Sequence, residues 1–178
     1  MHALLKLYNK PLGALEAILG PWLLPTLARF TFAAVLLMYF WSSASLKLGD
    51  SIFELGFGAY GQILPLAFDA AGYDTDNLTL FQKAIAYGGT YAEFALPALL
   101  LIGLFTRLAA LGMIGFTLVQ SYVDIYGHMA DETAIGSWFD RISDSAIMDQ
   151  RLLWITLFTL LFIRGAGPLS ADRLIGLK

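Results

Sequence analysis

The sequence predicts an all-α integral membrane protein: a four-helix bundle with an N-terminal interfacial helix and short amphipathic helices in its outer loops. Three observations lead there. First, 58% of the 178 residues are hydrophobic and only 14% are charged, where an ordinary soluble domain carries roughly 25% charged residues. Mean hydropathy is +0.67, and a fold this small leaves too much surface to hide such an excess, so a bilayer must act as part of its solvent. Second, the apolar residues gather in four stretches of helical length. Third, basic residues divide unequally between the connections, as they do in multi-pass proteins. The same composition excludes a disordered chain, which needs low hydrophobicity and high charge. A net charge of -3 without a basic stripe argues against nucleic acid as a partner.

The elements follow in order. Residues 1–20 have no long apolar core and no small-residue cleavage site, so no secretory signal is expected. Leu12, Leu15, Ile18 and Leu19 have helical spacing, with Pro11 suited to a first turn; this reads as a helix lying on the membrane surface. Span one covers about 22–46, and its uncharged part from Phe30 to Leu46 is roughly 25 Å long at 1.5 Å per residue. Span two covers about 81–105, bracketed by Lys83 and Arg107 and apolar apart from Glu93. Span three covers about 107–126. Span four is the shortest: Leu152 to Ile163 reaches only about 18 Å of a roughly 30 Å hydrocarbon core. To cross, it must begin near Ser143–Ser145, at about 145–164, with Arg151 inside the bundle or snorkelling. Residues 48–80 contain Phe53, Leu55, Phe57, Ile63, Leu64, Leu66 and Phe68, which predicts a partly embedded amphipathic helix closed by Pro65. Phe105–Thr106–Arg107 is a tight turn, and residues 124–150 are rich in acids. No internal repeat and no separate soluble domain is evident, so residues 1–178 read as one membrane domain.

Orientation comes from the basic residues. Lys6, Lys10, Arg29, Arg107, Arg164, Arg173 and Lys178 fall on one side with Glu16 and Asp172; Lys47, Lys83, Arg141 and Arg151 face eleven acids on the other. Both termini should therefore be cytoplasmic. Tyr39, Trp41, Tyr87, Tyr91, Tyr122, Tyr126 and Trp154 sit near the outer ends of their spans, where aromatic anchors belong.

Glu93 is the most informative residue for chemistry. It lies roughly 15 Å and 21 Å from Lys83 and Arg107 along a helix, and a carboxylate at that depth costs several kcal/mol unless paired, protonated or hydrated. It should face the bundle interior, either as an ion pair that fixes helix register or as a ligand or proton site. Lys47, Arg151 and Arg29 are candidate partners, with Arg29 last because it sits at the opposite end of span one. Gly88 and Gly89 leave room for a neighbouring helix or a flat ligand, and Pro97 removes the hydrogen bond to the Glu93 carbonyl. Asp124, His128 and Glu132 recur at four-residue intervals and on one helical face form a weak candidate metal set; a solvated loop histidine among acids is the plainer reading. Ala109, Gly112 and Gly115 suit close helix packing, within the chain or in a homo-oligomer. With no cysteine and only His2 and His128, the chain offers no disulfide, no iron–sulfur ligands, no covalent haem and no four-histidine haem bundle.

Two segments carry a resemblance. Ala92–Glu93–Phe94–Ala95–Leu96–Pro97, running into Gly103–Leu104–Phe105–Thr106–Arg107, resembles the DoxX family, in which a glutamate in span two is followed by a stretch ending Gly-Leu-Phe-Thr-Arg. Arg29 through Ser45 to Lys47 is similar to that family's first span. Gly165–Ala166–Gly167–Pro168–Leu169–Ser170–Ala171–Asp172 is similar to its tail. The resemblance covers roughly residues 22–175. The outer insertion at 124–150 and the longer first loop depart from it. It implies a four-helix protein of the bacterial inner membrane, in some relatives a subunit of thiosulfate:quinone oxidoreductase. A quinone would then be the cofactor, with Glu93 moving protons and Lys47, Tyr91 or Arg151 near the head group. Alternatives remain: a non-catalytic anchor or assembly partner for a periplasmic protein, or a small metal-handling or transport protein.

Overall fold

The computed structural model describes residues 2–177, with side chains from Lys10 onward. Among these residues the protein is helical, about 70%, with no strands; one isolated bridge joins Leu48 to Leu55.

Helix α1 (His2–Leu19) begins earlier than expected and runs through Pro11, which lies inside the helix rather than in its first turn. Leu12, Leu15 and Ile18 are exposed on it, as are the other residues from Lys10 to Ile18. The chain bends by 53° at Gly20–Pro21 into α2 (Leu23–Val35). The expected first span is divided: α2 ends at Val35 and α3 (Leu37–Ser45) resumes after Leu36, whose φ is -110°. Hydrogen bonds still bridge the break, Leu36 N–H donating to Phe32 O at 2.8 Å and Phe40 N–H to Leu36 O at 3.1 Å.

Two short helices follow in place of one: α4 (Phe57–Ile63) and α5 (Pro65–Ala70). Pro65 opens the second at its first turn, where its missing N–H costs nothing. A 3-10 turn at Thr75–Asn77 leads to α6 (Leu80–Ile102). Thr79 and Gln82 cap α6 reciprocally, side chain to backbone in both directions. Gly103, at φ +67°, ends α6 in the left-handed conformation and α7 (Thr106–Tyr122) starts three residues later. Its last turn widens into a π-turn, Val123–Gly127. Then come α8 (Glu132–Ile135), α9 (Met148–Arg164) and α10 (Ala171–Leu174).

Two helices are long and apolar enough to cross a membrane, Leu80–Ile102 and Thr106–Gly127; Lys10–Leu19 with α2 makes a third if that bent pair counts as one span. The fourth expected span is shorter than its predicted 145–164. Ser145 and Asp149 explain the later start: the Ser145 backbone and hydroxyl donate to Asp149 Oδ2 at 3.1 and 2.8 Å, and Asp149 N–H donates back to Ser145 Oγ at 3.1 Å. These bonds tie Ser145, two residues ahead of the N-cap Ile147, to the first turn of α9, which starts at Met148 without a side-chain cap of its own. At 17 residues, α9 is roughly 25 Å long.

Two cores hold the helices. Ala28, Phe32, Leu36 and Phe40 meet Leu100 of α6, Ala109, Ala110 and Met113 of α7, and Phe158 and Leu161 of α9. Phe32 and Phe158 meet edge to face, 5.9 Å between centroids. The second core, Leu55, Ala59, Tyr60, Phe68, Leu78 and Ala86, seats α4 and α5 on α6. Buried hydroxyls are satisfied locally: Thr90 donates to Ala86 O at 2.9 Å and Thr117 to Met113 O at 2.8 Å.

The turn between α6 and α7 is tied by two charged side chains. Arg29 donates to Leu100 O at 3.1 Å, Leu101 O at 2.6 Å, Ala166 O at 3.2 Å, and to Leu169 O. It thus binds the open carbonyl end of α6, where a cation is favoured. Asp172 takes the N–H groups of Phe105 and Thr106 at 2.7 and 3.0 Å, capping α7, while its own N–H donates to Gly103 O at 2.8 Å.

Candidate functional site

The chemistry gathers at the other end of the molecule, where Lys47 sits. Glu93 faces inward as its depth demanded; its side chain is 2% exposed. Its partner is Lys47, whose Nζ donates to Glu93 Oε2 at 2.6 Å and also to Ser43 Oγ at 2.7 Å and Ser43 O at 3.3 Å. Three acceptors satisfy one ammonium, which is how a buried lysine stays tolerable.

Pro97 does not interrupt α6. Next to the carbonyl that Pro97 leaves without its usual partner, Trp41 Nε1 donates to Phe94 O at 3.2 Å. The indole thereby ties α3 to α6 at the residue that follows Glu93.

Lys47 and Glu93 form part of the wall of a cavity of about 540 Å³ between α3, α6, α7 and the α4–α5 cap, a size typical of small-molecule sites. Gly89, Ala92 and Leu96 continue the α6 wall, and Gly112, Gly115 and Phe116 form the α7 wall. Gly112 packs against Leu96: a Cβ there would meet Leu96 Cδ2 at 2.9 Å. Of the small-residue stripe of span three, Ala109 is buried and Gly112 packs within the chain, while a Cβ on Gly115 would meet nothing within 4 Å. Polar groups punctuate the apolar lining. Gln120 Nε2 donates to Tyr39 Oη at 2.8 Å while Gln120 Oε1 is buried without a hydrogen-bond partner, an arrangement that leaves an acceptor available to a donor in the cavity. Asp124, His128 and Gln62 also line it.

Arg151 is not the partner of Glu93. Its guanidinium is 7% exposed and pairs with Asp124 Oδ2 through Nη2, with Nη1 donating to Ser121 Oγ at 3.1 Å. It stands behind the cavity and holds Asp124 in the wall; its Nε is buried without a partner. Tyr91 is exposed and donates to Ile52 O at 2.6 Å, fastening the first loop to α6. A Cβ on Gly88 would meet nothing within 4 Å; Gly89, one residue on, is the glycine that reaches the cavity. Neither Tyr91 nor Gly88 is among its lining residues.

The metal reading of Asp124, His128 and Glu132 needed a continuous helix through all three. The helical turns end at Gly127, Asp124 is committed to Arg151, and His128 Nε2 donates to Gln62 O at 3.0 Å. Among the described residues no three histidine or acidic side chains are placed to hold a metal ion. Sequence reasoning missed Tyr39, Ser43 and Gln120 as cavity residues. They fall on the faces of α3 and α7 that turn toward α6, a relation that only the packing reveals. No family model matches the chain, nor does any curated protein or solved structure.

Proposed function

We propose that the chain is the membrane subunit of a quinone-linked oxidoreductase, similar to the DoxX-type subunit of thiosulfate:quinone oxidoreductase, and that the cavity beside Lys47 and Glu93 receives the quinone head. The observation that carries this reading is a buried Lys47–Glu93 pair on the wall of a largely apolar cavity of about 540 Å³. In it, α2 with α3, α6, α7 and α9 cross a bacterial inner membrane with both termini cytoplasmic, following the distribution of basic residues.

The residues suit such a ligand. A quinone bound there supplies two-electron, two-proton redox chemistry. By giving up its longest bond, the 3.3 Å one to Ser43 O, Lys47 provides a donor for an acceptor oxygen; Gln120 Oε1 is an acceptor for a hydroxyl, and Glu93 a carboxylate beside them. Gly115, where a Cβ would meet nothing within 4 Å, keeps the α7 wall low enough for a flat ring. Asp124 and His128 line the same cavity as Glu93. With no cysteine in the chain, electrons come from a partner protein on the periplasmic side.

The test is extraction of the purified protein with analysis of co-purifying quinone, and the shift in Tm on adding a short-chain quinone. Bound quinone and a shift that Glu93→Gln reduces support the reading. No quinone and no shift in the wild-type protein sink it.

A second reading, a non-catalytic anchor for a periplasmic protein, is favoured by the outer loop. Phe139 is fully exposed at φ +66°, between Trp138 and Asp140, and a bulky side chain in that conformation is costly without a compensating contact. Under this reading Glu93→Gln lowers stability and leaves quinone response unaltered.

A further inference from the structure

At the opposite end, beside the turn tied by Arg29 and Asp172, lies a second cavity of about 350 Å³. Three arginines from three elements line it: Arg107 in the first turn of α7, Arg164 at the end of α9 and Arg173 in α10. Pro21 and Trp22, just ahead of α2, form another wall. Asp172 is the one acid among its lining residues, and its two oxygens are already taken by the Phe105 and Thr106 N–H groups. Two helices of more than three turns also begin here. α2 starts without a side-chain cap, and both it and α7 present the positive end of their dipoles. The carbonyl end of α9, which opposes an anion, is answered by its own Arg164.

We infer that this cavity is a site for the phosphate of an anionic phospholipid. Guanidinium forks match phosphate oxygens in pairs, and those of Arg164 and Arg173 face one hollow to which Arg107, engaged with Phe162 O, adds its charge. The rim decides between a lipid and a soluble phosphate. Trp22 and Leu177 line it and are exposed, as are Leu23, Leu24 and Leu174, which follow the lining residues Trp22 and Arg173 in the chain; a dissolved anion would leave these side chains in water. An acyl chain covers them, and an indole at this level is where aromatic residues anchor to the headgroup region. The site is remote from the Lys47–Glu93 cavity, and the inference stands whatever that cavity binds.

The experiment uses the full chain, purified in an uncharged detergent. Phosphatidylglycerol, phosphatidylcholine and inorganic phosphate are added separately, with native mass spectrometry and Tm as readouts. Phosphatidylglycerol should be retained and raise Tm, with an effect that weakens in high salt; phosphatidylcholine and inorganic phosphate should do neither. Arg164→Ala with Arg173→Ala should weaken phosphatidylglycerol binding about 25-fold, at about fivefold for each arginine near an anionic lipid. Arg107 is spared because it donates to Phe162 O at 3.1 Å. Lys83→Ala, a charge removed at the far end, should leave binding unchanged. If the double variant unfolds, Arg173→Ala alone is read. Equal responses to the two lipids, an equal response to inorganic phosphate, or unaltered affinity in the arginine variant overturns the inference.

Discussion

Lys47 Nζ lies 2.6 Å from Glu93 Oε2, and both side chains are nearly sealed from solvent. The pair joins the end of α3 to the middle of α6 and so fixes one against the other. Removing one partner leaves a charge with nothing to meet it, which costs about 3–5 kcal/mol in a buried pair, whereas replacing both with apolar side chains is often close to neutral. Glu93→Leu alone and Lys47→Met alone should each lower stability by that amount. The double substitution should recover most of the loss, as read from unfolding in detergent. Additive losses would show that the two residues do not act as a unit.

Gly103 and Gly88 should respond to alanine in opposite directions. At Gly103 the backbone is left-handed, and a Cβ would come within 2.7 Å of Ser170 Cβ and 2.9 Å of Arg29 Cζ. Gly103→Ala should therefore cost more than the roughly 1 kcal/mol of an ordinary left-handed alanine. At Gly88, mid-helix, an added methyl meets nothing, and Gly88→Ala should stabilise by about 0.5–1 kcal/mol. Thermal unfolding of the two variants side by side checks this.

What was legible in the sequence follows from how far each signal reaches. The depth of Glu93 could be counted from Lys83 and Arg107, and its inward orientation followed from the cost of a charge in oil. That Lys47 rather than Arg151 would meet it depended on which helices are neighbours, and helical periodicity within one segment carries no such information. The division at Leu36 and the Ser145–Asp149 bonds ahead of α9 are local features that hydropathy does not register. The segments around Gly103 and Asp172 stood out as a pattern of residues. Their part in the fold, a glycine ending α6 and a carboxylate starting α7, became apparent only with the two brought together.

Asp172→Ala tests that turn. Its carboxylate accepts two backbone N–H groups at the start of α7 while partly shielded from water. Loss of an N-terminal cap costs about 0.5–2 kcal/mol, and charge-assisted bonds lie toward the upper end. Asp172→Asn keeps one acceptor oxygen and should recover part of the loss. Hydrogen exchange should speed up at Phe105 and Thr106 in the alanine variant and leave the Glu93 region of α6 protected.

The second ion pair should prove lopsided. Arg151 is nearly buried, while the Asp124 carboxylate is 30% exposed. Asp124→Asn strips a sealed guanidinium of its counter-charge and leaves it only neutral acceptors, Ser121 Oγ and the asparagine amide oxygen. Arg151→Met strips a carboxylate that water can still reach, and gains a flexible apolar chain among α7 and α9. The cost of an unmet charge grows with burial, so Asp124→Asn should destabilise more than Arg151→Met, by a margin of about 1–2 kcal/mol. The two variants also separate roles at the cavity. Asp124 lines it and Arg151 does not, so a ligand contact through Asp124 would appear as a loss of quinone response in Asp124→Asn greater than that in Arg151→Met at matched stability. Equal stability losses would mean that water reaches Arg151 as freely as it reaches Asp124.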